Sequence, residues 1–591
     1  MAVLGVDVGG TFTDAVLLSG DELRSAKVPT AARQDESVLA AAEAVGARDV
    51  ERFTHGMTVA TNALLERKGA RTAFVSTAGF EHLLHLRRQN RAHLYRLCAA
   101  HPEPLIPLER CHGVRERIGP DGLLEPLALE SLPQLGEDVE AVAVCLLFSF
   151  RDPSHERAVA AELRGRLPRA RVVASHELSP EVREYERAST TAIDAYLGPG
   201  VSRYLEALGA AGAAAGLPEP LVMRSSGGLA TLAEAAAHPA VALVSGPAAG
   251  VVGAARVAAL EGVANAISLD MGGTSTDVCL IAGGEAGRSS EREVGGLPLR
   301  LPMVDLQTVG AGGGSIVSRD AGGALRVGPE SAGADPGPAC YGRGGTRPTV
   351  TDANLLLGRL PARLAGGLEL DLAAAERAFA GLDPAEAIEV VNAEMLRALR
   401  LVSVERGHDP REFALVAFGG AGPLHACALA EELAIETVLV PESAGVLSAL
   451  GLTAADERRD TVQTYVCLLE QVGELPAEGE ADLRYRGQSF ELTVPLQPRL
   501  AEAFHAAHEA RYGYADRERP VELVAVRTAE VRRAPPLRLP PAGSLEAVGP
   551  AVIELAGATC WLPPGWAGVR DGTSSTLRLT RVSRDRAESV K

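Results

Sequence analysis

Eight residues near the start of the chain return almost unchanged in its second half, and no other feature restricts the fold as tightly. Asp7-Val-Gly-Gly-Thr-Phe-Thr-Asp14 and Asp270-Met-Gly-Gly-Thr-Ser-Thr-Asp277 agree at six of eight positions. Each copy follows an apolar run (residues 3–6 and 266–269) and precedes another (15–18 and 278–281). Short apolar runs bounded by turn residues read as buried strands, so each copy reads as the tight turn of a β-hairpin. Adjacent glycines let a backbone approach a ligand closely, and turn amides with threonine hydroxyls can surround phosphate oxygens. An aspartate at a strand end can hold a hydrated Mg2+, or orient a water or an acceptor. One Gly-Thr turn is commonplace. Two whose acidic ends and hydroxyls recur in register would hold a nucleotide's phosphates from both sides.

A third glycine-rich segment follows the same logic. Residues 415–418 read as a strand, Gly419-Gly-Ala-Gly-Pro423 as a turn and 424–433 as a helix. That order lets Gly419, Gly420 and Gly422 bring backbone close to adenosine or phosphate. The three segments resemble the phosphate-1, phosphate-2 and adenosine motifs of the actin, sugar kinase and Hsp70 ATPase superfamily. The resemblance implies an α/β protein with a two-lobed actin-like ATPase (ribonuclease H-like) fold.

Composition excludes several classes. The 591 residues suffice for two to four domains. A net charge of −18 argues against nucleic acid or an anionic membrane as partner. The longest apolar stretch, residues 240–260, is interrupted by Ser245-Gly-Pro247 and Arg256, and reads as strand, turn and helix rather than a membrane span. With no signal-peptide pattern at the start, a cytoplasmic location is expected. Eight scattered cysteines contain no C-x-x-C; Cys145, Cys279 and Cys427 read as core, and Cys111-His112 as a loop position without ligand function or, alternatively, part of a metal site. Lysine is confined to Lys27, Lys68 and Lys591, and no P-loop lysine motif occurs. Phosphate charge is therefore expected to meet backbone amides, hydroxyls, Mg2+ or arginine.

Taken in order, residues 1–190 read as a first lobe, 191–460 as a second, and 461–591 as a small, separate β-rich domain with a linker at 535–541. Residues 54–62 end a short strand, where ligands gather in α/β folds; His55, Thr58 and Asn62 are cleft candidates, Thr58 equally a helix cap. Arg88 and Asn90 lie in a basic-polar loop after a helix. Arg183 and Glu186 belong to a charged cluster that is either a salt-bridged surface or a cleft wall, leading into a helix over 189–197. Residues 241–244 read as a strand and 311–315 as a flexible loop. Asp335 and Arg343 are the charged members of a Gly/Pro-rich loop, and Asp352 reads as a helix cap.

With these segments placed, the chain resembles the hydantoinase A / 5-oxoprolinase N-terminal family. The similar phrases are residues 54–62, 88–90, 183–187, 245–250, 308–315, 335–341, 403–411 and 484–488. Ser226 and Asp194 stand where that pattern has Asn, and Ala249 where it has Gly. The resemblance implies an ATP-dependent enzyme that phosphorylates the oxygen of a cyclic amide, or bicarbonate in carboxylase-like members. Asp7 and Asp270 would organise Mg2+ through water, and the acceptor. Gly9, Gly10, Thr11, Thr13, Gly272, Gly273, Thr274 and Thr276 would contact phosphates. The second half-reaction would fall to a hydantoinase B type subunit, implying a hetero-oligomer. A free small-molecule kinase and an Hsp70-like assembly factor are the competing readings; the tail shows no peptide-binding module or helical lid.

Overall fold

Both expected hairpins form in the computed structural model, which describes residues 2–20, 22–364 and 367–582. Ala2–Val8 pairs antiparallel with Phe12–Ser19, Asp7 opposite Asp14 and Val8 opposite Thr13. Ala266–Met271 pairs with Thr276–Ala282 in the same register, Asp270 opposite Asp277 and Met271 opposite Thr276. The duplication extends outwards. Each hairpin carries a further antiparallel strand on one side, Glu22–Pro29 or Leu306–Val309. On the other side each continues into two parallel strands: Arg52–Gly56 and Leu221–Met223, or Ala414–Phe418 and Thr437–Pro441. The strands are covered on both faces, which is why they read as continuous apolar runs; Val3, Leu4, Val6 and Val8 are all buried.

The two halves meet at two helices. Leu447–Thr453 packs on Ala2–Val8 and Arg52–Gly56 of the first sheet, and Ser245–Leu260 on Ala266–Met271 of the second. Small residues allow backbone-to-backbone contact here. A Cβ added to Gly451 would stand 1.9 Å from the Ala249 carbonyl oxygen, and one on Gly5 2.2 Å from that of Ala449.

Four expectations need correction, the first being the loop at Cys111-His112, which is part of the strand Cys111–Val114. Residues 461–582 are β-rich, but most of their strands join the two large sheets: Glu457–Leu468, Val521–Arg532, Glu480–Tyr485 and Leu492–Pro495 extend the first, Thr576–Arg581, Trp566–Arg570 and Leu545–Val548 extend the second, and Ala551–Leu555 pairs with Ala558–Leu562 apart from both. The strand expected at 241–244 is the 3₁₀ turn Pro239–Ala242, where the proline opens a turn running into the next helix. The helix expected to span 189–197 is Glu184–Ala214, which continues through Pro199. Ile193, Leu197, Val201, Leu205 and Leu208 stay buried along one face, and that burial outweighs a proline cost of about 3 kcal/mol. A fully parallel four-stranded sheet of Arg171–Ala174, Ala141–Cys145, Thr72–Thr77 and Cys111–Val114 stands apart from both large sheets. Among the described residues no helix is long and apolar enough to cross a membrane.

Candidate functional site

Directly opposed residues share a face of a sheet, so the pairings define rows of side chains. In the first half the row is Gly56, Asp7, Asp14, Lys27. In the second it is Phe418, Asp270, Asp277, Thr308. The two rows lie near enough for charge on Asp7 and Asp14 to act on Asp270.

Glycine makes room for both leading carboxylates. A Cβ on Gly56 would stand 2.4 Å from Asp7 Oδ1, and one on Gly419 2.5 Å from Asp270 Oδ1. Asp7 Oδ1 is sealed from solvent and has no hydrogen-bond partner. Burial, then the charge of Asp14, pushes the Asp7 pKa up to about 7, against the opposing pull of Lys27. Burial, then Asp277, Asp7 and Asp14, pushes Asp270 up to about 8. Asp14 and Asp277 are also raised by burial, but each has a donor beside it. Lys27 Nζ stands 2.5 Å from Asp14 Oδ1, while Thr308 Oγ1 donates to Asp277 and itself accepts from Arg292. Four carboxylates thus share one cleft with too little positive charge.

The turns between them are built alike. Gly9 N–H closes the first on Phe12 O (2.9 Å), and Gly272 N–H the second on Ser275 O (3.0 Å). The amides of Gly10, Thr11, Gly273 and Thr274 have no hydrogen-bond partner among the described residues. Thr13 and Thr276 are different, since strand alternation turns both inwards. Each is fully buried; Thr13 Oγ1 meets Thr30 Oγ1 (3.1 Å) and Thr276 Oγ1 donates to Ala311 O (2.5 Å). They brace the turns and do not present hydroxyls to phosphate, contrary to expectation.

Other braces escaped sequence reasoning. Thr30 donates from its hydroxyl to Gly9 O (3.0 Å) and from its amide to Thr11 O (3.0 Å). Residues 311–315, expected to be a flexible loop, support the second turn: Gly313 N–H donates to Gly272 O (2.9 Å) and Gly314 N–H to Gly273 O (2.7 Å). The third glycine segment wraps the end of the strand carrying Asp270, with Ala421 N–H on Met271 O (3.0 Å) and Gly422 opening the helix Gly422–Glu432. Lys27 was also missed, and only its cross-strand register with Asp14 could have revealed it.

The remaining candidates separate. His55 is buried, its Nδ1 on Val6 O (3.1 Å) and its Nε2 on Tyr204 Oη (2.8 Å); burial drives its pKa down to about 4, so it is a neutral core histidine. Thr58 precedes the helix Val59–Leu65 without capping it, and its buried hydroxyl has no partner. Asn62 lies half-buried within that helix. Arg88 pairs with Glu186, and Arg183 with Glu491 (2.5 Å), so the charged cluster is a salt-bridge network. Asn90 is exposed, its carbonyl 2.9 Å from His101 Nε2. Asp335 and Arg343 are exposed on a loop that meets the second hairpin's support where Ala332 N–H donates to Gly314 O (2.9 Å). Asp352 is the third helical residue and closes a capping box whose cap is Thr349, and it also accepts from Cys340 N–H (2.7 Å). Asp194 is fully buried and accepts from Ala240 N–H (2.9 Å).

Comparison with known proteins shows the family. Residues 3–167 match the hydantoinase/oxoprolinase N-terminal region and residues 187–461 the hydantoinase/oxoprolinase family proper. The caprolactamase subunit alpha of Pseudomonas jessenii is 34% identical over 98% of this chain and 99% of its own. An uncharacterized protein of Methanocaldococcus jannaschii is 38% identical over 89% of this chain and 86% of its own. The gamma subunit of acetophenone carboxylase from Aromatoleum aromaticum is 34% identical over 77% of this chain and 68% of its own. The crystal structure of the ATP-dependent caprolactamase of Pseudomonas jessenii superposes with a TM-score of 0.84 at 32% identity, covering 98% of this chain and all of that one. A nucleotide-free acetone carboxylase shares the fold, with a TM-score of 0.78 at 24% identity, covering 98% of this chain and all of that one. The chain belongs to the hydantoinase/oxoprolinase family.

Proposed function

We propose that the chain is the ATP-binding subunit of an ATP-dependent enzyme acting on cyclic amides, with an actin-like arrangement of its two sheets. The repeated order of three antiparallel and two parallel strands supports the arrangement. The observation that carries the function is the pair of neighbouring carboxylate rows, each ending in a turn with unengaged amides. The names of two relatives, caprolactamase and 5-oxoprolinase, supply the substrate class; the match spans 41% of the length of the yeast 5-oxoprolinase.

An amide carbon is a poor electrophile, and transfer of a phosphoryl group to the amide oxygen makes that oxygen a leaving group. The free turn amides receive phosphate oxygens, and closure of the two halves excludes water that would otherwise hydrolyse ATP. Asp7 and Asp270, with pKa values near neutrality, can hold or give up a proton at the acceptor. The orphaned Asp7 Oδ1 and the excess of carboxylates fit a hydrated Mg2+, and no cluster of three protein ligands is present among the described residues. Mg2+ commonly binds through one or two carboxylates and substrate phosphates. Such an ion would neutralise phosphate charge here, held through water by Asp7 and Asp270. Ring opening passes to a hydantoinase B type partner.

The test is Mg2+-dependent ATP hydrolysis by the purified chain, with and without that partner, across hydantoin, 5-oxoproline, caprolactam, and acetone with bicarbonate. Partner-dependent turnover stimulated by a cyclic amide is expected. Stimulation by acetone and bicarbonate alone points to a carboxylase, and phosphorylation without a partner to a kinase. Activity that survives both Asp7→Ala and Asp270→Ala removes the carboxylate rows from the reaction.

A further inference from the structure

The two rows match at their aspartates and part company at the third strand. Asp14 faces Lys27, whereas the equivalent Asp277 faces Thr308. The second half shows that a hydroxyl backed by an arginine is enough to partner the buried carboxylate. Pairing alone therefore does not require an ammonium group at position 27. That group is also well placed for another task. It stands beside Asp14 and near the Phe12 ring next to the first turn, and its charge acts on Asp7 and Asp270 as well. It has three donors, of which the contact with Asp14 uses one, and the side chain is 34% exposed. Its position is set from two sides: Nζ lies 5.4 Å from the centre of the Phe12 ring, and a Cβ on Gly557 would stand 3.7 Å from its Cε.

We infer that Lys27 is a phosphate-binding residue, donating to the terminal phosphates of the bound nucleotide while remaining on Asp14. The inference rests on the ATP-binding reading above. It replaces the expectation that only amides, hydroxyls, Mg2+ and arginine meet the phosphate charge.

Calorimetric titration of the full chain with Mg·ATP, Mg·ADP and AMP tests it, using wild type, Lys27→Met, Lys27→Arg and the double variant Lys27→Met/Asp14→Asn. Unfolding without nucleotide is recorded for each. A charged hydrogen bond is worth a factor of about 10 to 100 in affinity. Lys27→Met is expected to weaken ATP by about that factor and AMP by less than about threefold, and Lys27→Arg to restore most of the loss. The double variant leaves no orphaned charge. If Lys27 serves only to pair Asp14, the double variant recovers ATP affinity; if Lys27 binds phosphate, it does not. Recovery in the double variant, an equal loss for ATP and AMP, or wild-type ATP affinity in Lys27→Met overturns the inference and leaves ATP binding intact. Absence of ATP binding by the wild type overturns the parent reading and this inference with it.

Discussion

Asp7 and Asp270 are held in surroundings that disfavour their charge, and this tension gives the site a measurable signature. Between pH 4 and about 7 the unfolded chain has released the Asp7 proton while the folded chain retains it. The unfolded state then binds fewer protons, so the contribution of Asp7 to stability, fully present below pH 4, is lost as pH rises through about 7. For Asp270 the loss continues to about pH 8. Asp7→Asn and Asp270→Asn remove the penalty. Each is expected to stabilise the nucleotide-free chain at pH 8.5 by on the order of 1 kcal/mol or more, with the gain vanishing towards pH 4, while ATP turnover falls to background. Thermal unfolding at pH 5 and 8.5 checks this. Variants no more stable than wild type at pH 8.5 would show that the carboxylates are already neutralised in the free protein.

At the scale of elements, what could be read from the sequence was what short-range pattern encodes. Glycines flanked by apolar runs specify the hairpins, and their near-identity specifies the duplication. The supports of those turns were hidden because they come from elsewhere in the chain. Lys27 matters through cross-strand register and Thr30 through hydrogen bonds to the first turn, and residues 311–315 look like a slack loop until the second turn is seen resting on them. His55 looked like a cleft residue because its partner, Tyr204, lies 149 positions away. The helix expected at 189–197 runs on through Gly198-Pro-Gly200 because one face of the 31-residue helix stays buried. The support at 311–315 can be tested at Gly312, where a Cβ would stand 2.6 Å from the backbone of Gly273 and Thr274. Gly312→Ala must displace the second turn, at a cost of about 1–3 kcal/mol. A loss of ATP affinity of roughly tenfold or more is expected, corresponding to about 1.4 kcal/mol of that cost appearing in binding. Gly165→Ala, on an open helix face, serves as the control and should leave affinity unchanged. Equal affinities for the two variants would mean the second turn does not touch the nucleotide.

Across the whole molecule, the C-terminal strands that extend the first sheet are fastened by buried charge. Glu181 accepts from Arg300 (2.8 Å) and Arg527 (2.6 Å); Arg527 also meets Asp482 (2.9 Å), and Arg300 lies 3.3 Å from Glu491, which pairs with Arg183. These residues join the approach to the long helix, the segment after Leu297–Leu299, and three of the C-terminal strands or their flanks. Burial alone would raise the Glu181 pKa, but Arg527 and Arg300 outweigh it and hold the carboxyl below its ordinary 4.5. Its stabilising contribution is therefore present above pH 4.5 and fades as pH falls through the depressed value. Glu181→Gln leaves two buried guanidinium groups without their shared carboxylate, and a loss of about 3–5 kcal/mol at pH 7 is expected. The difference from wild type should narrow in acid, and Arg300→Met combined with Glu181→Gln should recover part of the loss, because the sites share one network. Denaturant unfolding at pH 7 and pH 4 measures all three quantities. A neutral Glu181→Gln at pH 7 would mean that the C-terminal strands are held by their backbone ladder with Glu457–Leu468 and not by this network. A large loss without acid convergence would assign the effect to packing rather than charge.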